Sequence, residues 1–469
     1  MASPITFGVE IEYNLATLGH KQNPPDPAET RQLLFPRTDE INEVLRLHFK
    51  LGPNDLVPEC IRLHYNYLGR KKAAQYSVMN TLKSIGFEVQ DGTGESNPAV
   101  WEVLFDDSVY PENNTQYEWF PMEINSPALP FNPASLDLIE RVCLVITETY
   151  ITEANKSTGL HVHLAAGPTT FKFRTMQKLI VFLWAFEHQI SSLHPEERQE
   201  SMYCRGFREQ SSMVADFTEK WGEPPSILQG ITEFYKCPDM KSLLSAAYCR
   251  SHTKFMAFNC ENALFRVKQP QEPFKPTIEC RQHQGTLDGE RIVQWVKLVA
   301  GLVECMETIH PELLLGLLKL VQHETWEKTR NEKRNYLNKA RLGPILAEGA
   351  LTIIDILEFL GLSESADYYR DRLFPVVGID IRPHISTFEW DTEAHEGDAG
   401  SSLAASKLRV DKKAMLKIFQ RMMIAGAATK DGDGAGLDFN PHDSLSKVVR
   451  EDGQSHELAP PFDLDKGDA

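Results

Sequence analysis

Phe7-Gly8-Val9-Glu10-Ile11-Glu12-Tyr13 alternates apolar and polar positions one for one. A β-strand sends successive side chains to opposite faces, so this stretch reads as a strand with Glu10 and Glu12 on one side and Val9, Ile11 and Tyr13 on the other. Two distant segments repeat the pattern: Gly159-Leu160-His161-Val162-His163-Leu164 and Thr277-Ile278-Glu279-Cys280-Arg281-Gln282-His283. Alternation pairs His161 with His163 and Glu279 with Arg281, and it carries His283 to the same side. If the three strands share a sheet, carboxylates, imidazoles and a guanidinium converge on one face. Crowding such groups without partners is costly, and a bound cation with a phosphate would relieve it. The pattern therefore predicts an enzyme.

The surrounding chain supplies a sheet and its cover. Val89 falls in a short strand predicted over 86–90, another is expected over Trp101–Val109, and a third over Phe120–Asn125 is stopped by Pro127, since proline offers no ladder donor. A strand over Phe255–Asn259 is expected to pair with Thr277–Arg281 across the Pro-containing loop 269–276. Between these, the period changes to that of helices over 40–49, 71–85 and 135–154, where Leu138, Val142, Val145, Ile146 and Tyr150 form a stripe. A long apolar helix is expected from Phe173 to Leu193, ended by Pro195. Further helices are predicted over 291–310, 311–333 and 351–360. The loops 19–30 and 195–221, the second carrying Arg198, Arg205 and Arg208, are the expected shapers of specificity.

Bulk properties narrow the function. At 469 residues the chain exceeds one small module, and 42% hydrophobic residues suffice for a large core. The formal net charge of -17 disfavours non-specific nucleic-acid binding and anionic membranes, which both depend on basic residues. The most apolar run, Leu179–Phe186, is far short of the roughly 20 residues a membrane span requires. The eight cysteines form no Cys-x-x-Cys pair, as expected of buried thiols. With no signal peptide apparent, a cytoplasmic location is expected. Residues 381–469 read as a largely disordered, acidic region with a short helix at 412–423, following a catalytic domain over 1–380. Asp431-Gly432-Asp433-Gly434-Ala435-Gly436 begins like a calcium loop, but His442 stands where the bidentate Glu is needed. A Gly-x-x-x-x-Gly-Lys phosphate loop is absent.

Taken in order, Phe7–Glu12, Trp101–Ser108, Met122-Glu123-Ile124-Asn125-Ser126-Pro127, Gly159–His163 and Ile278-Glu279-Cys280-Arg281 through Thr286-Leu287-Asp288 resemble the amidoligase family, carboxylate–amine ligases related to glutamine synthetase and glutamate–cysteine ligase. The resemblance spans about residues 5–310. It implies an α+β fold: a glutamine-synthetase-like curved antiparallel sheet with helices on its convex side, followed by a helical C-terminal part and an acidic tail. It also implies an ATP-dependent ligase that forms an amide through an acyl phosphate, using ATP and Mg²⁺, or Mn²⁺ in its place. By the same resemblance Glu10, Glu12, Glu123, His161, His163 and Glu279 would hold metal. Arg281, with Glu10 and Glu279, would act in catalysis, and Arg281, Arg198, Arg205 and Asn259 would contact nucleotide phosphate or substrate. Asn125 and Cys280 depart from the family pattern and are expected to lie off the polar face. The partners expected are small-molecule or peptide carboxylates and amines, with no nucleic acid and no membrane. Two alternatives stay open: a zinc hydrolase built on His161 and His163, and a non-catalytic relative that keeps the fold.

Overall fold

The computed structural model describes residues 5–319, apart from 19–24, 32–35, 93–96, 113–115, 200 and 252–253, together with residues 353–373. The predicted boundary at 380, the acidic region beyond it, the helix at 412–423, the rest of the 311–333 helix after Lys319 and part of the 19–30 loop lie outside these residues.

The fold is mixed α/β, organised on a nine-stranded, mostly antiparallel sheet. Its strands are β1 (Thr6–Thr17), β2 (Val89–Gln90), β3 (Trp101–Leu104), β4 (Glu118–Asn125), β5 (Leu129–Pro130), β6 (Thr152–Glu153), β7 (Gly159–Ala165), β8 (Phe258–Asn259) and β9 (Ile278–Gln284). The order is β2-β3-β4-β1-β7-β9-β8, and β5 and β6 also pair with β1. Only β2 and β3 run parallel. The strand that opens the chain is thus central. Along one edge it pairs with β4 and then β5, and along the other with β7 and β6.

Register converts alternation into two unlike faces. Residues directly opposite each other in an antiparallel pair project to the same side. Ile11 faces Ile124 and Leu160, Val9 faces Val162, and Val103 faces Ile124. All are at most 1% exposed, so this face is solid core. Tyr13 lies on it in the buried space of Cys143 and Tyr150, which places helix Pro133–Thr149 behind the sheet. Helix Asn66–Ser84 lies there too: Gln75 Nε2 donates to the Val103 carbonyl at 2.5 Å, and Ser77 and Thr81 hydroxyls meet the Tyr150 hydroxyl at 3.1 and 2.6 Å. Helix Gly289–Thr308 completes this layer, with Asp288 capping its first turn through the Arg291 N–H. Truncating a side chain such as Ile124 to Ala in such packing costs about 2–5 kcal/mol.

Several expectations change. The apolar helix over 173–193 is two helices, Phe173–Ala185 and Glu187–Ser191, joined at Phe186. The Trp184 and Ala185 carbonyls accept hydrogen bonds from the Arg208 guanidinium, and the buried Glu187 carboxylate accepts from the Arg208 and Phe207 N–H groups. Outside bonds therefore replace the ladder where the helix breaks. The loop expected over 195–221 ends in a helix, Ser212–Trp221, and further helices lie at Ile227–Lys236, Met240–Ala247 and Glu261–Lys268. The strand expected over 101–109 ends at Leu104. Among the described residues, no helix is long and apolar enough to cross a membrane.

Candidate metal and phosphate site

The opposite face of the same sheet gathers the ionisable side chains. Glu12 stands opposite Glu123, Glu10 opposite both Asn125 and His161, and His163 opposite Glu279, which in turn faces Asn259. Four neighbouring strands thus bring Glu10, Glu12, Glu123, His161, His163 and Glu279 onto one surface. Arg281 joins them by ion-pairing with Glu279 through Nη1, which also lies 3.4 Å from His161 Nδ1.

Two groups of metal-capable atoms form on this surface. In one, ligand atoms of Glu10, His161 and Glu279 all lie within 4.8 Å of one another; in the other, so do those of Glu12, Asp106 and Glu123. Glu10 bridges the histidines: its Oε2 is 3.2 Å from His161 Nδ1 and its Oε1 is 2.9 Å from His163 Nε2. Thr277 Oγ1, 3.1 Å from His163 Nδ1, fixes the other side of that ring. Asn259 Nδ2 donates to Glu279 Oε2 at 2.8 Å while its Oδ1 accepts from the Glu261 N–H, so both ends of the amide serve to orient Glu279. Glu12 Oε2 accepts from the Gly159 N–H at 2.6 Å and Glu12 Oε1 lies 3.5 Å from His161 Nε2. His161 therefore touches both groups.

Electrostatics separate the two. Burial would raise the Glu10 carboxyl, but His163 and then His161 outweigh it and hold Glu10 well below the usual carboxylate range. For Glu279 burial is likewise overcome, chiefly by Arg281 and then His163. Glu12 is raised, by burial first and with Asp106 adding to it against the pull of His161. Glu123 is pushed up to about 9 by burial and by the nearby charges of Glu10, Glu12 and Asp106. A cation between these oxygens would reverse that shift. The donor set, carboxylate oxygens with one imidazole, suits a hard divalent ion such as Mg²⁺ or Mn²⁺.

Asp106 was missing from the sequence-based ligand set. It sits just past the end of β3, where Asp106 Oδ1 accepts from the Ser108 N–H and hydroxyl at 2.7 and 2.6 Å. The signal was the Asp-Asp-Ser turn that directly follows an alternating strand. Lys275, also unforeseen, brings its ammonium within 3.9 Å of Glu10 Oε1.

Two facing assignments are corrected. Asn125 lies on the polar face, opposite Glu10 and two residues from Glu123, to which its side chain is hydrogen-bonded. His283 lies on the core face. The β7–β9 register shifts between Leu160 and Val162, so that His283 stands opposite Leu160 and its ring packs against His194 and Trp295. One extra residue in a bulge inverts the alternation beyond it. Cys280 is buried opposite Val162, off the polar face as expected. Arg198 reaches the site's edge, where its Nη2 donates to the Arg281 carbonyl at 2.6 Å. The Arg205 side chain instead donates to the Met202 carbonyl at 3.3 Å and does not join the carboxylates.

The chain that carries this ordered set of acids, histidines and arginine matches a protein-family model. The family model described as "Putative amidoligase enzyme" aligns with residues 3–303, well over half of the chain. The chain belongs to the amidoligase family. The matched span contains all the strands of the sheet and every residue of both metal-capable groups. No curated protein matches the chain. Amidoligase membership makes amide-bond formation the chemistry to which this face is to be fitted.

Proposed function

We propose that the protein is an ATP-dependent carboxylate–amine ligase acting through an acyl phosphate. A substrate carboxylate oxygen attacks the γ-phosphorus of ATP, the bond to the β–γ bridging oxygen breaks, and ADP leaves. The amine nitrogen then attacks the acyl carbon, phosphate departs, and the nitrogen gives up a proton to form the amide. The observation that carries this reading is the side-by-side pair of acid groups, one containing Glu10 and the other Glu12, two residues apart on the central strand.

Divalent ions bound there would neutralise the transferring phosphoryl group. Glu10, His161 and Glu279 would hold one, with His163 steering Glu10, and Glu12, Asp106 and Glu123 the other. Arg281, a planar and permanent cation beside Glu279, would meet the phosphoryl oxygens. Arg198, Arg205 and Asn259 remain candidates for nucleotide or substrate contacts. Of these, Arg198 reaches the edge of the site at the Arg281 carbonyl, and Asn259 would act by orienting Glu279. The sheet would be curved as in glutamine synthetase, its polar face forming the concave floor. The substrates would be small-molecule or peptide carboxylates and amines, in a cytoplasmic setting.

The test is isotopic. Purified protein is incubated with ATP, Mg²⁺ and pools of ¹⁸O-carboxylate substrates and amines. Release of ADP with one ¹⁸O carried into phosphate supports the reading. Failure to bind nucleotide in the presence of Mg²⁺ overturns it. One equivalent of tightly held zinc, lost in His161→Ala, would assign the site to hydrolysis instead.

A further inference from the structure

We infer that Asn14 and Asn125 are positioning residues for the Glu12 metal group, each accepting a hydrogen bond from a water that the bound cation carries. The group then takes a partly hydrated ion, the state that Mg²⁺ prefers. The inference rests on the proposed metal role of Glu12, Asp106 and Glu123, and deepens it. Asn14 follows Glu12 by two residues on β1 and is fully buried. Asn125 follows Glu123 by two on β4, opposite Glu10. The facing pair of Glu12 and Glu123 is therefore flanked by amides, Asn14 beyond it along β1 and Asn125 beyond it along β4.

In both amides the nitrogen is committed and the oxygen is not. Asn14 Nδ2 donates to the Tyr110 carbonyl at 3.3 Å, and the Asn125 side chain is bonded to the Glu123 carboxyl. A carbonyl only accepts, so the Asn14 amide stands with its oxygen turned away from Tyr110. Both Oδ1 atoms are buried, and neither has a hydrogen-bond partner among the described residues. An amide oxygen left so forfeits its hydration for nothing in return. Holding Tyr110 does not account for Asn14, since the same carbonyl accepts from Asn155 Nδ2 and the Ser157 hydroxyl, both at 2.9 Å. Asn259, beside the other metal group, makes the contrast: its nitrogen donates to Glu279 and its oxygen accepts from the Glu261 N–H.

The missing donors must arrive with the ligand. The two amide oxygens add acceptors to a place already rich in them, and Glu12, Asp106 and Glu123 have no Lys or Arg ion pair among the described residues. What fits is a cation that itself donates hydrogen bonds. Metal-bound water, acidified by its ion, does so strongly. Asparagine is one methylene shorter than glutamate and stands one step further along its strand. Its oxygen is thus suited to the ion's water, and the ion itself is left to the three carboxylates.

The experiment binds Mn²⁺ alone to the full chain and follows it by electron paramagnetic resonance, with ¹⁷O-labelled water to count the waters on the ion. The Mn²⁺ lost in Glu123→Gln defines the group. Asn14→Leu and Asn125→Leu are each expected to weaken this Mn²⁺ about tenfold, with the number of bound waters unchanged. Asn14→Asp, which keeps an acceptor, should bind more tightly than Asn14→Leu. Circular dichroism checks the fold; should Asn14→Leu not fold, the half-buried Asn125 supplies the deciding variant. Folded Leu variants that hold Mn²⁺ as wild type does overturn the inference and leave the metal group standing. One additional labelled water in either Leu variant also overturns it, by making the amide a direct ligand. If no Mn²⁺ binding depends on Glu123, the inference falls together with the metal assignment. Dependence on both asparagines in a protein that never consumes ATP supports the inference and sinks the ligase reading alone.

Discussion

The two acid groups on the polar face differ in how they are balanced. Around Glu10 and Glu279 the protein supplies its own cations and donors: Arg281, Lys275, the Asn259 amide and the histidines. Around Glu12, Asp106 and Glu123 it supplies the Gly159 and Ser108 N–H groups, the Ser108 hydroxyl, one amide and the edge of His161. The carboxyls follow: Glu10 and Glu279 are held down, while Glu12 and Glu123 are raised. One group is self-neutralised and structurally secure. The other has no Lys or Arg ion pair among the described residues.

Breaking the balanced group should have the largest effect. Arg281→Met leaves Glu279 buried beside Glu10 without its strongest partner, and stability in metal-free urea denaturation should fall by about 3 kcal/mol or more. Added Mn²⁺ should restore part of the loss. The unbalanced group should respond in the opposite sense. Glu123→Gln imitates the neutral acid without the proton uptake that Glu123 requires on folding at pH 7, so metal-free stability at that pH should rise rather than fall. Metal-dependent activity should nevertheless drop by more than the roughly 100-fold that loss of an outer-shell partner costs. A large destabilisation of metal-free Glu123→Gln would contradict the contrast.

A third measurement sharpens it. With Glu123 at about 9, the folded protein carries a proton there at pH 7 that the unfolded chain does not. That contribution to stability is fully present below the ordinary carboxylate pKa and is lost as pH rises through about 9. Metal-free melting temperature should therefore decline toward alkaline pH, and Glu123→Gln should flatten the decline. Mg²⁺ binding at pH 7 should expel close to one proton, readable from calorimetry in buffers of different ionisation enthalpy.

The smallest effect lies behind the sheet. Burial pushes His283 down to about 3 and His194 well below its usual range. Both stay neutral in the fold, whereas the unfolded chain takes up protons below about 6.5. Their contribution is present above that pH and is lost as pH falls toward the folded values. At pH 5.5 each should cost about 1 kcal/mol relative to pH 7.5. Replacing both by Gln should remove that part of the acid sensitivity, as read by denaturation at the two pH values.

The sequence disclosed the face better than it disclosed the edges. Alternation alone placed Glu10, Glu12, His161, His163, Glu279 and Arg281 together, because β1, β7 and most of β9 are regular and hold their period. It misplaced His283, since a bulge leaves no mark in an apolar–polar pattern. Asn125 was assigned off the polar face although it stands two residues from Glu123, where the period already put it. Asp106 escaped because it follows a strand, and a turn has no period to read. The break at Phe186 escaped too: the partners that take over the Trp184 and Ala185 carbonyls come from Arg208, more than twenty residues away.

Because each of β1's twelve residues is paired along at least one edge, and six of them along both, its amides should be among the last in the molecule to exchange with deuterated solvent. Glu10 and Glu12 are consequently mounted on the segment least free to breathe. That polar face is the part of the molecule least able to adapt. In the proposed ligase, discrimination between one amine or acid and another would come from the connecting segments beside it, such as the one that carries Lys275, and efforts to retune selectivity should begin there.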